Sequence, residues 1–577
     1  MLKLFRLLKP YRWLIAFVMA LILLQSLSEL YLPTLMADIV NIGIVERQGD
    51  TDYILKIGGF MLLVTLGGTV VSILASLYSS RIAAGFGRIV RAKIFNQVEN
   101  YSLQEFDKVG TASLITRTTN DINQVQQVLV MMLRMMVMAP MMCIGGIIMA
   151  VSKDAKLSLV LVVAIPVLVL TIVAIAGKGI PLFKVIQKKL DKLNLVLREN
   201  LTGIRVIRSF NRMEHEKKRF VEANGDLTDT SIRVNQIMAA LWPLMMLIMN
   251  FSSIAIIWFG GQRIGSGHMA VGDLMAFLQY AMQIMFSMLM LSMMFVMVPR
   301  ASASAVRINE VLDLPPTLVD APNARSGIAT SGEVEFEDVT FSYPGAEQPA
   351  LSGITFKARP GEVTAIIGGT GSGKSTLLNL IPRFYDAASG SVRIDGVDVR
   401  QRKQAELRAQ IGLVPQRAVL FTGTIADNIR FGKEDATEEE IRHAADVAQA
   451  TEFISGMAEG FESAIAQGGT NVSGGQKQRL SIARALVRRP DIYLFDDSFS
   501  ALDFKTDAKL RAALKGETES STVIIVAQRV STVMDADQII VLDEGRIVDV
   551  GTHQELLRAS GVYREIVSSQ LSEEEIA

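Results

Sequence analysis

Six apolar runs, each about 20 residues long, fill the first 300 residues of this 577-residue chain and constrain its architecture before any motif is read. They fall near Trp13–Leu35, Ile57–Leu77, Leu129–Val151, Leu157–Ala176, Leu241–Phe259 and Leu274–Val298. Runs of that length match the hydrocarbon thickness of a bilayer, in which a helix satisfies its own backbone groups. The first run is too long for a cleavable leader and no small-x-small site follows it, so it reads as a true span. Lys3, Arg6, Lys9 and Arg12 precede it and place the N-terminus in the cytoplasm by the positive-inside rule. Spans one and two, three and four, and five and six are joined by short connections, such as Ser152–Lys156. Longer polar stretches, 78–128 and 177–240, separate spans two from three and four from five. The spacing of Leu190, Leu193, Leu197 and Leu201 predicts that these stretches are helical rather than structureless. An even number of spans returns the chain to the cytoplasm.

Lys plus Arg balance Asp plus Glu at 58 each, so net charge offers no argument for a nucleic-acid partner. That balance conceals an asymmetry. The first 308 residues form the membrane domain, and 333–572 have the composition of a soluble α/β domain. From 301 to 332 the composition is that of an exposed boundary, with Pro315-Pro316, Pro322 and a Ser/Gly-rich end; we assign 309–332 as linker. Residues 573–577, with Glu573-Glu574-Glu575, read as a solvated acidic tail. Cys143 is the sole cysteine, which excludes an intrachain disulfide and a Cys-based zinc site.

The soluble half carries chemistry. Val363–Ile367 is an apolar strand running into Gly368-Gly369-Thr370-Gly371-Ser372-Gly373-Lys374-Ser375, and a helix opens at Ser375–Leu380. Strand, glycine-rich turn and helix are the context a phosphate loop requires. Glycines let backbone N–H groups approach phosphate oxygens, and the helix N-terminus adds its positive dipole end. Lys374 is placed to neutralise β- and γ-phosphates, and the Ser375 hydroxyl to ligate Mg²⁺. A second buried strand, Ile492–Phe495, presents Asp496 at its C-terminal end for the same cation. Val472-Ser473-Gly474-Gly475-Gln476, Ser500-Ala501-Leu502-Asp503 and Ala527-Gln528-Arg529 complete the series.

In order and spacing these motifs resemble the ATP-binding cassette (ABC) family across the C-terminal half, and the six spans resemble the membrane domain of its exporters. The resemblance implies a multi-domain chain: an all-α membrane domain with long intracellular helical extensions, fused to an α/β P-loop cassette that binds ATP and Mg²⁺. It places the extension tips near Gln104–Lys108 and Asn211–Phe220. It makes Tyr343, in Phe341-Ser342-Tyr343-Pro344, the aromatic that stacks on adenine. The nucleotide set is then Tyr343, Gly368, Thr370, Gly371, Ser372, Gly373, Lys374, Ser375, Thr376, Gln416 and Asp496, with Ser375, Gln416 and Asp496 toward the metal. Val472–Gln476 resembles the signature that contacts ATP held by an opposite cassette.

Two positions depart from the family pattern. The residue after the magnesium aspartate is normally Glu, and here it is Asp497; the switch residue is normally His, and here it is Gln528. A general base must reach the attacking water, and Asp497 is one methylene short. Gln528 can donate a hydrogen bond but cannot relay a proton as histidine does. An intact signature beside an impaired site resembles the degenerate half of heterodimeric multidrug exporters, whose partner carries Glu and His. A slow homodimeric pump, a nucleotide-gated channel or regulator, and uptake of a metal chelate are the competing readings.

Within the spans, Glu29 and Arg134 are the conspicuous ionisable residues, each either lining a translocation path or pairing structurally. Methionines concentrate at 131–149, 238–249 and 282–297; they suit varied amphiphilic ligands and serve equally as gap-fillers between helices. The chain is thus expected in a bacterial inner membrane, with a small amphiphile as cargo.

Overall fold

The computed structural model describes residues 1–327 and 331–570, so the acidic tail at 573–577 lies outside the described residues. The chain divides into two compact units: Met1–Glu99 with Thr111–Leu314, and Asn100–Gly110 with Pro315–Ala577.

The first unit is helical. Its main elements are α1 (Arg12–Asp38), α2 (Thr51–Glu99), α4 (Ile122–Lys153) and α5 (Leu159–Thr202); the short helix α3 (Leu103–Val109), which follows α2 in the chain, belongs to the second unit. After α6 (Ile204–Ser209) come α7 (Met213–Ala239), α8 (Leu241–Gly265) and α9 (Val271–Asp313). Among the described residues six helical stretches are long and apolar enough to cross a membrane; five contain one of the expected runs whole, and the fourth, Leu159–Thr202, begins two residues inside the run expected at Leu157–Ala176. The helices outrun those spans: the 49 residues of α2 extend about 74 Å at 1.5 Å per residue, more than twice the thickness of a hydrocarbon core. Polar, helix-patterned continuations sustain that length without lipid.

The turning points show what ends such helices. A capping box starts α3, where Glu105 accepts hydrogen bonds from the Ser102 backbone N–H (2.8 Å) and hydroxyl (2.6 Å). The helix ends at Gly110, whose φ of 78° needs no side chain. The tip expected at Gln104–Lys108 is therefore this helix. The second tip lies earlier than expected. The chain turns through Gly203, α6 and Asn211 (φ 53°), while Met213–Phe220 is already the start of α7. Glu214 and Glu216 in that first turn favour a helix start there, because they face its positive dipole end.

Helix α9 likewise continues to Asp313, through residues whose composition suggested linker. Ile308 and Val311 are fully buried, and the Arg307 guanidinium donates to the buried Asp121 carboxylate at 2.7 Å. Pro315-Pro316 then forbids continuation. Between α8 and α9, Met245, Met249 and Met285 close around a residual cavity of about 10 Å³. Here methionine fills gaps.

In the second unit β1 (Val334–Phe341), β2 (Leu351–Ala358), β4 (Ser389–Ile394) and β5 (Val397–Asp398) form an antiparallel sheet in the order β2-β1-β4-β5. A six-stranded sheet contains β3 (Val363–Gly368), β6 (Ile411–Val414), β7 (Ile492–Asp496), β8 (Thr522–Val526), β9 (Gln538–Asp543) and β10 (Arg546–Gly551). Its order is β10-β9-β3-β8-β7-β6, parallel except at the β10 edge. Every residue of β8 is buried, as a central parallel strand covered on both faces must be. The register sets Val526 beside both Ile366 and Asp496, so the C-terminal ends of β3, β7 and β8 open at one level. Ligand crevices of open parallel sheets form at such strand ends.

Candidate functional site

The phosphate loop leaves β3 and enters the helix α10 (Lys374–Leu380). Its glycines answer to specific needs. A Cβ at Gly368 would lie 2.0 Å from the Leu542 carbonyl oxygen, and Gly373 adopts φ 99° as the helix N-cap. Lys374 is buried, and its ammonium donates to the carbonyls of Gly368 (2.8 Å) and Gly369 (2.7 Å). Burial pushes its pKa down, against the opposing pull of Asp497 and Asp496. A desolvated ammonium held by neutral carbonyls is poised to exchange them for phosphate oxygens.

Ser375 Oγ donates to Asp496 Oδ1 at 2.9 Å. Among the described residues no group of three or more His, Cys, Asp or Glu side chains could hold a metal ion by itself. The Ser375 hydroxyl and Asp496 carboxylate form a partial oxygen shell, which fits a Mg²⁺ whose remaining ligands are phosphate oxygens and water. Gln416 Nε2 lies 3.4 Å from Asp497 Oδ2, which brings the third expected metal-side residue to the same cluster. Asp497 follows β7 in the left-handed region (φ 46°), is mostly buried, and its N–H donates to the Val526 carbonyl at 2.9 Å.

Tyr343 completes one side. Its hydroxyl is 3.0 Å from the Thr376 hydroxyl, its ring meets Phe341 and Tyr385 edge-on, and it is 37% exposed. An exposed aromatic tethered to the helix behind the phosphate loop is suitably held for stacking on a base.

Val472–Gln476 stand apart. Ser473 caps α11 (Gly474–Leu486) in a reciprocal box, with Gln476 Oε1 accepting from Ser473 N–H at 2.8 Å. Ser473 and Gly474 are exposed, and among the described residues none of the five hydrogen bonds to the phosphate loop. A solvent-facing helix N-terminus of this kind is an anion site open to an approaching molecule. Gln528 follows β8 and is exposed, while Arg529 donates to the carbonyl of Ser500 at 2.9 Å. Sequence reading missed Gln570, whose amide meets the backbone of Gln528.

In the helical unit Gln25 Nε2 donates to Glu29 Oε1 at 2.9 Å, and Gln283 Nε2 reaches the Glu29 carbonyl at 3.4 Å. Arg134 is half-buried and forms no hydrogen bond or ion pair among the described residues, so it does not pair with Glu29.

Burial raises the Asp496 pKa above the ordinary carboxylate range; Asp497 adds to this, and Ser375 and Lys374 oppose it. A carboxyl that must ionise to face a cation predicts that Mg²⁺-dependent nucleotide binding weakens, as pH falls, at a higher pH than an unperturbed aspartate would give. Titrating ATP affinity with and without Mg²⁺ through the acid range tests this. The Asp496→Asn chain is expected to lose the Mg²⁺ increment at every pH.

Six candidate membrane spans among the described residues, joined to a phosphate-loop cassette, define a membrane transport ATPase. The description "ABC transporter transmembrane region" matches residues 15–288, and "ABC transporter" matches 351–500. The chain is 45% identical over 567 residues to an uncharacterized ABC transporter ATP-binding protein of Mycobacterium tuberculosis (strain CDC 1551 / Oshkosh), covering 97% of each. It is 33% identical over 557 residues to an ATP-dependent lipid A-core flippase of Chromobacterium violaceum, covering 95% of this chain and 93% of the flippase. A solved bacterial Atm1-family ABC exporter with ATP bound superimposes with a TM-score of 0.81 at 26% identity, covering 98% of this chain and 99% of the exporter. The chain belongs to the ABC transporter family.

Proposed function

We propose that this chain is the hydrolytically impaired half of an ATP-driven exporter of amphiphilic small molecules. It binds Mg-ATP at its own phosphate loop and lends its signature to the competent site of a partner half-transporter carrying Glu and His. The observation that carries this reading is the conjunction at the neighbouring C-terminal ends of β3, β7 and β8. Lys374, Ser375 and Asp496 form a complete grip, while Asp497 and Gln528 form a weak trigger. Two further observations support a second half. The signature helix start faces solvent, and the α6 tip exposes Val206 and Phe210 (60% and 73%) outside the apolar spans. Basic residues before α1 support a cytoplasmic N-terminus and cassette in a bacterial inner membrane. Kinship with a lipid A-core flippase supports a lipid-like or drug-like cargo. Glu29, held by Gln25 beside Gln283, is our first choice for a polar contact on the path, and Arg134 the second.

Coupling follows from linkage. Nucleotide clasped between two cassettes favours closure by its differential affinity for the closed state, and slow turnover prolongs that closure. A specific observation favours a second reading: the Gln416–Asp497 contact keeps the Asp497 carboxylate in the site, as a slow homodimeric pump would need. Steady-state Mg-ATP hydrolysis by the chain alone in lipid nanodiscs, with Lys374→Ala as control, separates the two. We expect ATP binding with negligible turnover, restored on co-assembly with a Glu- and His-bearing half. Turnover by the chain alone that Lys374→Ala abolishes would establish the homodimer.

A further inference from the structure

The switch segment is fastened from three sides. Ala527 N–H donates to the Ile366 carbonyl on β3 at 3.1 Å, next to the phosphate loop. Arg529 bonds the Ser500 carbonyl at 2.9 Å and reaches the Leu502 carbonyl at 3.5 Å. The third fastening comes from the far end of the chain. Gln570 Nε2 donates to the Gln528 carbonyl at 2.8 Å, and Gln570 Oε1 accepts from the Val530 N–H at 2.9 Å. One primary amide thus spans the backbone of Gln528 to Val530 as a neighbouring strand would. The two partners fix its orientation, because a flip would set oxygen against oxygen and nitrogen against nitrogen.

The clamp has a rigid footing. Gln570 lies two residues beyond the helix α12 (Gly561–Ser568), which buries Tyr563 and Val567 in the core of the cassette. The Tyr563 hydroxyl is further held 2.7 Å from His553 Nδ1. Val530 is itself fully buried, so its N–H has little recourse to water once Gln570 is gone.

We infer that Gln570 is a positioning residue for the switch: it fixes the backbone that carries the residue-528 side chain, and so couples the C-terminal helix to ATP turnover. The inference rests on the reading of 528 as the switch position and goes beyond it, since it assigns a function to a residue outside every cassette motif. The consequence is directional. Placing a catalytic group within a fraction of an ångström affects the transition state far more than nucleotide binding. Loss of the clamp therefore lowers kcat and leaves KM for ATP unchanged.

The test uses the full chain in lipid nanodiscs, with Asp497→Glu and Gln528→His installed so that the switch has a proton-relaying residue to position. Adding Gln570→Met, which matches the side chain in length but has no donor or acceptor, is expected to lower kcat per folded molecule about tenfold with KM unchanged, and to lower the melting temperature by only a few degrees, the cost of one unsatisfied buried N–H. Gln570→Glu keeps an acceptor for Val530 N–H but sets a carboxylate against the backbone carbonyl of residue 528, and is expected to fall at least as far. An unchanged kcat, or a fall in melting temperature with kcat per folded molecule intact, overturns the inference and leaves Gln570 a structural staple. If the double replacement is itself silent, that outcome counts against the reading of Asp497 and Gln528 and not against the clamp. Hydrogen exchange in the native background then decides: Mg-ATP adds protection to residues 527–531 in the native chain and none in Gln570→Met. Equal added protection in both chains overturns the clamp.

Discussion

Replacing Asp497 by Glu and Gln528 by His together raises ATP turnover about a hundredfold over the native chain in the same assembly, which is what a displacement of roughly 1 Å in a catalytic group costs. The native grip needs no repair: Lys374 is desolvated among carbonyls, and Ser375 is already joined to Asp496. What is short is the reach of the base. Asp497 is anchored at its backbone by the Val526 carbonyl and its carboxylate is turned toward Gln416, so an added methylene is spent on projection into the site. Histidine at 528 then supplies a group that can hold and return a proton near neutral pH. There is an opposing cost. Residue 497 has φ 46°, a region Asp visits more readily than Glu, so Asp497→Glu alone lowers stability by about 1 kcal/mol. Phosphate release from the native, single and double variants checks the result, with nucleotide affinity measured alongside. A double variant no faster than the native chain would show that the two departures do not limit turnover.

What could be read without coordinates divides along physical lines. The six spans were legible because lipid demands long uninterrupted apolar runs. The phosphate loop was legible because close approach of backbone to phosphate demands glycines at fixed spacing. Where neither demand operates, reading went astray. The second helical tip was expected at Asn211–Phe220 and sits around α6. The signals were Gly203 and the left-handed Asn211, both weak beside the basic run that follows. Residues 309–313 looked like linker by composition, yet the contacts that keep them helical come from buried Ile308 and Val311 and from Asp121, far away in sequence. The Gln25–Glu29 contact follows helix spacing and could have been anticipated, whereas Gln283 reaches Glu29 across 254 positions. Gln570 is the extreme case: a polar residue after a short helix, whose importance exists only through a backbone 42 positions away.

Ser473→Asp is expected to abolish hydrolysis by the paired transporter while leaving this chain folded and still able to bind ATP at its own phosphate loop. Aspartate is as good an N-cap as serine, so the start of α11 keeps its capping bond to Gln476 N–H and stability changes little. Ser473→Ala, by contrast, loses that bond and costs about 1 kcal/mol. The exposed helix start, with its orphan N–H groups and positive dipole end, is built to meet an anion. A carboxylate placed there meets the nucleotide's phosphate with like charge, a penalty of several kcal/mol, or more than about a hundredfold in turnover. The two substitutions therefore reverse order between assays: Asp is the milder for folding and the more severe for function. Melting temperature and phosphate release are measured on the assembled pair. ATP binding is measured with a partner whose own phosphate-loop lysine is replaced, so that only the Lys374 site reports. If turnover of the pair survives Ser473→Asp, the signature of this chain serves no competent site. If ATP binding at Lys374 is lost as well, the signature acts within its own cassette, and the division of labour between grip and trigger fails with it.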